Sequence, residues 1–210
     1  MTFDPHKFKA LYLSFTDIWK RADDFRTKYS PKSKLPINVF DIVEFDLGLY
    51  IQPFKDMYSA VGIEALLLGD LTTILVDEKL YMSQHSQNRL RFSLAHEVGH
   101  LVLHKHIYGK LEHNSVEDWI QLIEAIPEEQ YYWIEQHAYE FAGRLLVPPE
   151  RLNVELQRAI KKAEKYSFSK WDLSGETALE YVSHEISRPF GVSWEVISRR
   201  LRKENLWPIE

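Results

Sequence analysis

The chain contains no cysteine. That absence removes disulfides, a thiol nucleophile and any cysteine-based zinc site, and it fits a reducing compartment. No apolar run approaches the roughly 20 residues that span a bilayer, and Met1-Thr2-Phe3-Asp4-Pro5-His6-Lys7 lacks the apolar core of a signal peptide. These absences predict a cytoplasmic protein without membrane association. Positive charge is not in excess either: the net charge is -5. Residues 151–210 carry 11 Lys/Arg against 9 Asp/Glu, a net of +2, which leaves 15 against 22, a net of -7, for residues 1–150. An acidic body excludes broad nucleic-acid binding and leaves only a limited form of it to the tail.

What is present is apolar and aromatic. With 210 residues, 45% hydrophobic content, 6 Trp and 11 Tyr, the chain can bury a real core in one domain, with at most a small appendage. The stretch around which it is organised is Arg91-Phe92-Ser93-Leu94-Ala95-His96-Glu97-Val98-Gly99-His100-Leu101-Val102-Leu103-His104. It contains His-Glu-x-x-His. On a helix, residues four apart lie one turn above each other, so His96 and His100 can aim two imidazoles at one ion. Glu97 is rotated about 100° from His96, within reach of a water at that ion but poorly placed as a third ligand. This is the zincin arrangement, with two histidines for Zn²⁺ and a glutamate as general base. Leu90, Leu94, Val98, Leu101 and Val102 form one apolar face of the helix, and His96, His100 and His104 form the opposite stripe. A helix of scattered surface histidines would not carry so much apolar surface, and a carboxylate buried in it needs a partner or a metal. Gly99 is costly inside a helix, and close approach by a neighbouring element or a substrate accounts for it.

A zinc site needs a third protein ligand and keeps the fourth position for water. The segment from Pro127 to Pro148 supplies candidates on a second helix. Pro127 suits its first position, Glu128 and Glu129 suit the positive end of its dipole, and Pro148 and Pro149 stop it. Tyr131, Ile134, Ala138, Phe141 and Leu145 make its buried stripe, and the alanines permit close approach to the first helix. Glu135 lies beside that stripe. His137 is a rival, about 200° away around the helix, and periodicity leaves the choice open.

Together, Arg91–His104 and the pattern Glu135-x-x-Ala138-x-x-Phe141-Ala142-x-x-Leu145-Leu146-Val147-Pro148 resemble the two signatures of the ImmA/IrrE family of metallopeptidases, in the same order. Val147 stands where the family has Met. The resemblance is strongest over residues 89–150. It implies a zinc-dependent, gluzincin-like peptidase with His96, His100 and Glu135 as metal ligands and Glu97 as catalytic base. It also implies a narrow substrate, a partner DNA-binding repressor whose cleavage switches genes on. The oxyanion partner besides zinc is open, with His104, Tyr108 and Tyr139 as candidates.

The rest of the chain predicts an α+β fold, a zincin-like core of helices with a small β-sheet, followed by a helical C-terminal segment. Residues 1–150 form the metallopeptidase domain and residues 151–210 pack on it or extend from it. Helices are expected over 7–29, 37–46 and Glu150–Tyr166, a strand over Gly48–Pro53, and a hairpin from Ile63–Leu68 through Gly69-Asp70 to Leu71–Val76. An edge strand of such a sheet can hold an extended peptide across the metal. Residues 105–126 form a long link between the metal-bearing helices, and Ser115-Val116-Glu117-Asp118 can start a helix within it. Ala178–Ile186, a turn containing Gly191, and Ser193–Lys203 read as a helix-turn-helix-like element over 178–203, whose Arg199, Arg200, Arg202 and Lys203 could meet phosphates. The expected activity is zinc endopeptidase action on a protein substrate. The alternatives are a non-catalytic metal-binding regulator and a DNA-binding protein acting through residues 178–203.

Overall fold

The computed structural model describes residues 4–32, 34–109, 113–165 and 175–207. It is an α+β fold in which helices surround one three-stranded mixed sheet. A 3-10 turn at Pro5–Lys7 precedes α1 (Phe15–Tyr29). The helix expected from residue 7 therefore begins later, because Ser14 caps it: the Ser14 hydroxyl accepts the Asp17 N–H at 3.2 Å. Leu11 and Tyr12, within the expected helix but before the cap, are exposed. Next come the short helix α2 (Val39–Asp41), continuing as a π-helical turn over Ile42–Asp46, then β1 (Tyr50–Phe54) and α3 (Met57–Val61). The expected hairpin follows as β2 (Ala65–Leu67) and β3 (Thr73–Asp77).

In the sheet, β3 is central, parallel to β1 and antiparallel to β2, with Leu66 opposite Leu75. After α4 (Glu78–Met82) comes α5 (Gln87–Tyr108), the 22-residue helix that carries His-Glu-x-x-His. It is buried along most of its circumference, including Leu90, Leu94, Val98 and Leu103, as expected of a central helix. The link contains α6 (Val116–Ala125), capped as expected by Ser115, whose hydroxyl accepts the Asp118 N–H. Then α7 (Glu128–Leu146) returns antiparallel across α5, burying Ile134, Ala138, Phe141 and Leu145.

Gly99 sets the distance between these helices. A Cβ at Gly99 would lie 3.0 Å from the Ala138 Cα and 3.3 Å from the Phe141 Cβ. A side chain at Gly99 would push the two backbones apart, and with them the histidines of α5 and Glu135 of α7.

The remaining chain forms α8 (Pro149–Lys165), α9 (Glu176–Phe190) and α10 (Trp194–Lys203). Tyr166, the last residue of the helix expected from Glu150, lies outside the described residues. The first helix of the expected helix-turn-helix pair runs four residues further, through Pro189, and stops at Gly191 with φ +61°. Both α9 and α8 pack together, and α10 rests on α9 and α7. Arg144 of α7 pairs with Asp23 of α1 and Glu204 just after α10, which ties the tail to the core.

Candidate metal centre

The face of α5 opposite its apolar stripe packs along α7. There, His96 Nε2 lies 3.0 Å from His100 Nε2. Glu135 of α7 reaches both, with Oε2 3.2 Å from His96 Nε2 and Oε1 3.4 Å from His100 Nε2. A tetrahedral ion with ligands at 2.0–2.2 Å has ligand–ligand edges of about 3.3 Å. The three atoms thus outline one face of such a tetrahedron. Nitrogen and carboxylate donors suit zinc, and also other divalent transition ions. Glu97 is the second carboxylate at this point, and it too has an oxygen within 4.8 Å of the ligating nitrogens. Its Oε2 accepts the Leu67 N–H of β2 at 2.8 Å. Glu135 touches both imidazoles while Glu97 is turned to the strand, so Glu135 is the carboxylate placed to share an ion with them. His137, the rival from periodicity, also faces α5 but meets His104 rather than the paired Nε2 atoms, its Nδ1 3.3 Å from His104 Nε2.

The electrostatics follow from burial and mutual proximity. Burial alone would raise the Glu135 carboxyl, but the facing His100 and His96 outweigh it and hold the group well below the usual carboxylate range. Burial pushes Glu97 up to about 7; the His96 charge and the Leu67 N–H resist the rise and the Glu135 charge adds to it. Burial lowers His100. Burial, then the His100 and His137 charges, take His104 well below its ordinary value. His96 is the exception: burial works to lower it, yet its hydrogen bond to Glu135 leaves it raised.

Neutral imidazoles allow a directed chain behind the ligands. His100 Nδ1 lies 3.2 Å from His104 Nδ1, and His104 Nε2 meets His137. Were His100 to hold an ion through Nε2, its Nδ1–H would donate to His104, whose Nε2–H would donate to His137. His104 would then orient His100, the function usually filled by a carboxylate or carbonyl.

The centre opens into a cleft of about 740 Å³. Of the three oxyanion candidates, Tyr108 and Tyr139 line the cleft, while His104 sits behind His100. Several cleft residues carry no sequence signal of a place at the site: Trp119, and Ser193, Glu195 and Val196 at the start of α10. Tyr131 did carry one. It stands one turn before Glu135 on the same face of α7, and burial, then the Glu135 charge, raise its phenol. The tail's cations are engaged within the chain: Arg199 stacks on Tyr139 at 4.2 Å, buried Arg200 pairs with Glu204, Arg202 with Glu176, and Lys203 with Glu140.

Residues 80–202 match the peptidase family described as the IrrE N-terminal-like domain, a span that includes both metal-bearing helices and most of α10. No curated protein matches the chain.

Proposed function

Because the chain belongs to the IrrE N-terminal-like family of peptidases, we propose that it is a zinc-dependent endopeptidase of narrow specificity, acting in the cytoplasm on a partner DNA-binding repressor and so controlling gene expression. The observation that carries the hydrolytic part is the convergence of His96, His100 and Glu135 at 3.0 to 3.4 Å beside a buried, separate carboxylate. The resemblance to ImmA/IrrE chains supports the repressor as substrate. Among the described residues no helix is long and apolar enough to cross a membrane.

His96, His100 and Glu135 would hold the ion. Zinc bound there supplies a Lewis acid that polarises the scissile carbonyl and brings the pKa of water to about 7. Glu97 accepts the proton of the water whose oxygen attacks the carbonyl carbon, and the peptide C–N bond breaks as Glu97 delivers that proton to the leaving nitrogen. Burial raises this carboxyl in the metal-free protein, the direction that suits a group that both takes and returns a proton. The Leu67 N–H holds one oxygen of Glu97 and leaves the other for the reaction. Tyr108 and Tyr139 border the cleft and offer hydroxyl donors for the developing oxyanion.

The test is Glu97→Gln. Stoichiometric zinc is retained while cleavage of a co-expressed repressor falls by about 10²–10⁴-fold, the scale of lost general base catalysis. Unchanged cleavage would sink the mechanism, and full zinc content in Glu135→Ala would sink the ligand assignment. Two other readings remain distinct. A non-catalytic metal-binding regulator would function equally well as Glu97→Gln. DNA binding through residues 178–203 would require Arg199, Arg200, Arg202 and Lys203 to exchange partners they already hold.

A further inference from the structure

The end of β2 is bound on both sides. Glu64, Leu66 and Leu68 face β3, as shown by the Asp77 N–H to Glu64 and Leu68 N–H to Thr73 bonds. Alternation then turns the backbone groups of Ala65, Leu67 and Gly69 away from β3. At Leu67 both are taken: its N–H goes to Glu97 Oε2 at 2.8 Å, and its carbonyl accepts His113 Nε2 at 3.0 Å. The Gly69 N–H donates to the His113 carbonyl at 2.8 Å. His113 comes from the link between the metal-bearing helices, just before α6. It stands beside Leu67 and Gly69 as one residue of a further strand would, with its ring N–H in place of a backbone donor.

His113 is itself held in place. It is fully buried. Its ring meets Tyr108 edge-on with centroids 5.4 Å apart and lies 4.9 Å from Trp119. A carbonyl only accepts, so the contact with Leu67 places a proton on Nε2. Tyr108 belongs to α5 and Trp119 to α6, so the ring is wedged between the metal-bearing helix, the link and the strand. Glu97 depends on the far end of this arrangement. Among the described residues, the Leu67 N–H is the one hydrogen-bond donor to its carboxylate. The terminal torsion of a glutamate is broad, and without that bond its two oxygens have no fixed assignment.

We propose that His113 is a positioning residue for Glu97: it fixes the backbone of Leu67, and through the Leu67 N–H it sets which carboxylate oxygen stays free for the reaction. The proposal rests on the peptidase reading. β2 is only three residues long, and its bonds to β3 leave the outward groups of Leu67 to Glu97 and His113 alone. A reacting group misplaced by about 1 Å can lose about 10²-fold in rate, so a loosened Leu67 is felt at the base.

Amide hydrogen exchange, read by NMR on the zinc-loaded full chain, tests this. His113→Phe keeps a ring and removes the donor. The Leu67 N–H then exchanges about tenfold faster, the scale of one lost hydrogen bond. The Leu68 and Asp77 N–H groups, bonded within the sheet, stay protected. In His113→Gln, whose side-chain amide supplies an N–H donor, protection of Leu67 returns. Zinc stoichiometry is the same in all three proteins. Cleavage of the co-expressed repressor follows the same order, about tenfold or more slower in His113→Phe and recovered in His113→Gln. Wild-type protection of Leu67 in His113→Phe, or no recovery in His113→Gln at equal zinc content, overturns the positioning alone. Loss of Leu68 protection together with Leu67 would make His113 a staple of the strand and overturn it too. Equal cleavage by wild type and Glu97→Gln overturns the peptidase reading, and with it the catalytic meaning of the arrangement.

Discussion

Two helix pairs in this molecule looked functional, and they differ in where their polar groups go. In the α5–α7 pair, small residues bring the backbones together at Gly99 and Ala138, and the polar side chains converge on one point. In the α9–α10 pair, the cations diverge, each to a different carboxylate or ring of its own chain. Residue type alone does not separate a binding group from a structural one. What separates them is whether a side chain's nearest opposite charge already neutralises it or whether several donors share a gap that only an ion fills.

The contrast can be broken or sharpened by mutation. The largest effect is expected behind the ligands. His104→Phe keeps an aromatic ring but removes the acceptor for His100 Nδ1, and zinc affinity measured by chelator competition falls about 10–100-fold, as for other orienting partners of metal ligands. An unchanged affinity would mean that the histidine chain is packing only. Gly99→Ala comes next. A methyl group there meets the Ala138 backbone at 3.0 Å, and overpacking costs roughly 1–3 kcal/mol, against about 1 kcal/mol gained from helix propensity. A net loss in denaturant midpoint, with weaker zinc binding as Glu135 is displaced, is the expected result.

A comparable or smaller effect is expected in metal-free protein. The Glu97 carboxyl is raised from 4.5 to about 7 in the folded state, so folding favours its protonated form. Its contribution is fully present below about pH 4.5 and is lost as pH rises through about 7. Metal-free Glu97→Gln should match wild type near pH 4 and exceed it by roughly 1–3 kcal/mol at pH 8, read by urea unfolding at both pH values. A constant difference across that window would refute the shift. The smallest effect belongs to the tail. Arg202, half-exposed, pairs with exposed Glu176, and Arg202→Ala should change stability by less than about 1 kcal/mol. If that substitution together with Arg199→Ala abolished a salt-dependent DNA affinity, α10 would have to be read as a binding helix after all.

Much of the centre was legible because its determinants are local. The i, i+4 spacing of His96 and His100, the cap at Ser115 and the punctuation around α7 act over a few residues. The same holds for the hairpin of β2 and β3, whose turn and alternation are local signals. Gly99 announced a close approach because a helix interior otherwise disfavours glycine. What could not be read depended on tertiary placement. Glu135 and His137 both lie near the apolar stripe of α7, and only the crossing of α5 and α7 decides which faces the imidazoles. The start of α1 was misplaced because Phe8, Leu11 and Tyr12 continue the apolar pattern beyond the Ser14 cap. The contribution of the 105–126 link was hidden because Trp119 and His113 act on β2 and α5, elements distant in sequence. The partners of the α10 cations, Tyr139, Glu140, Glu176 and Glu204, came from three different places along the chain.

The occupied edge of β2 has one more consequence. An open strand edge invites copies of the same protein to add to it in register and polymerise. Here His113 and Glu97 take up the groups of Leu67, and the strand is only three residues long. What remains, the backbone of Ala65, is enough to grip a guest held elsewhere in the cleft and too little to template a growing stack of neighbours.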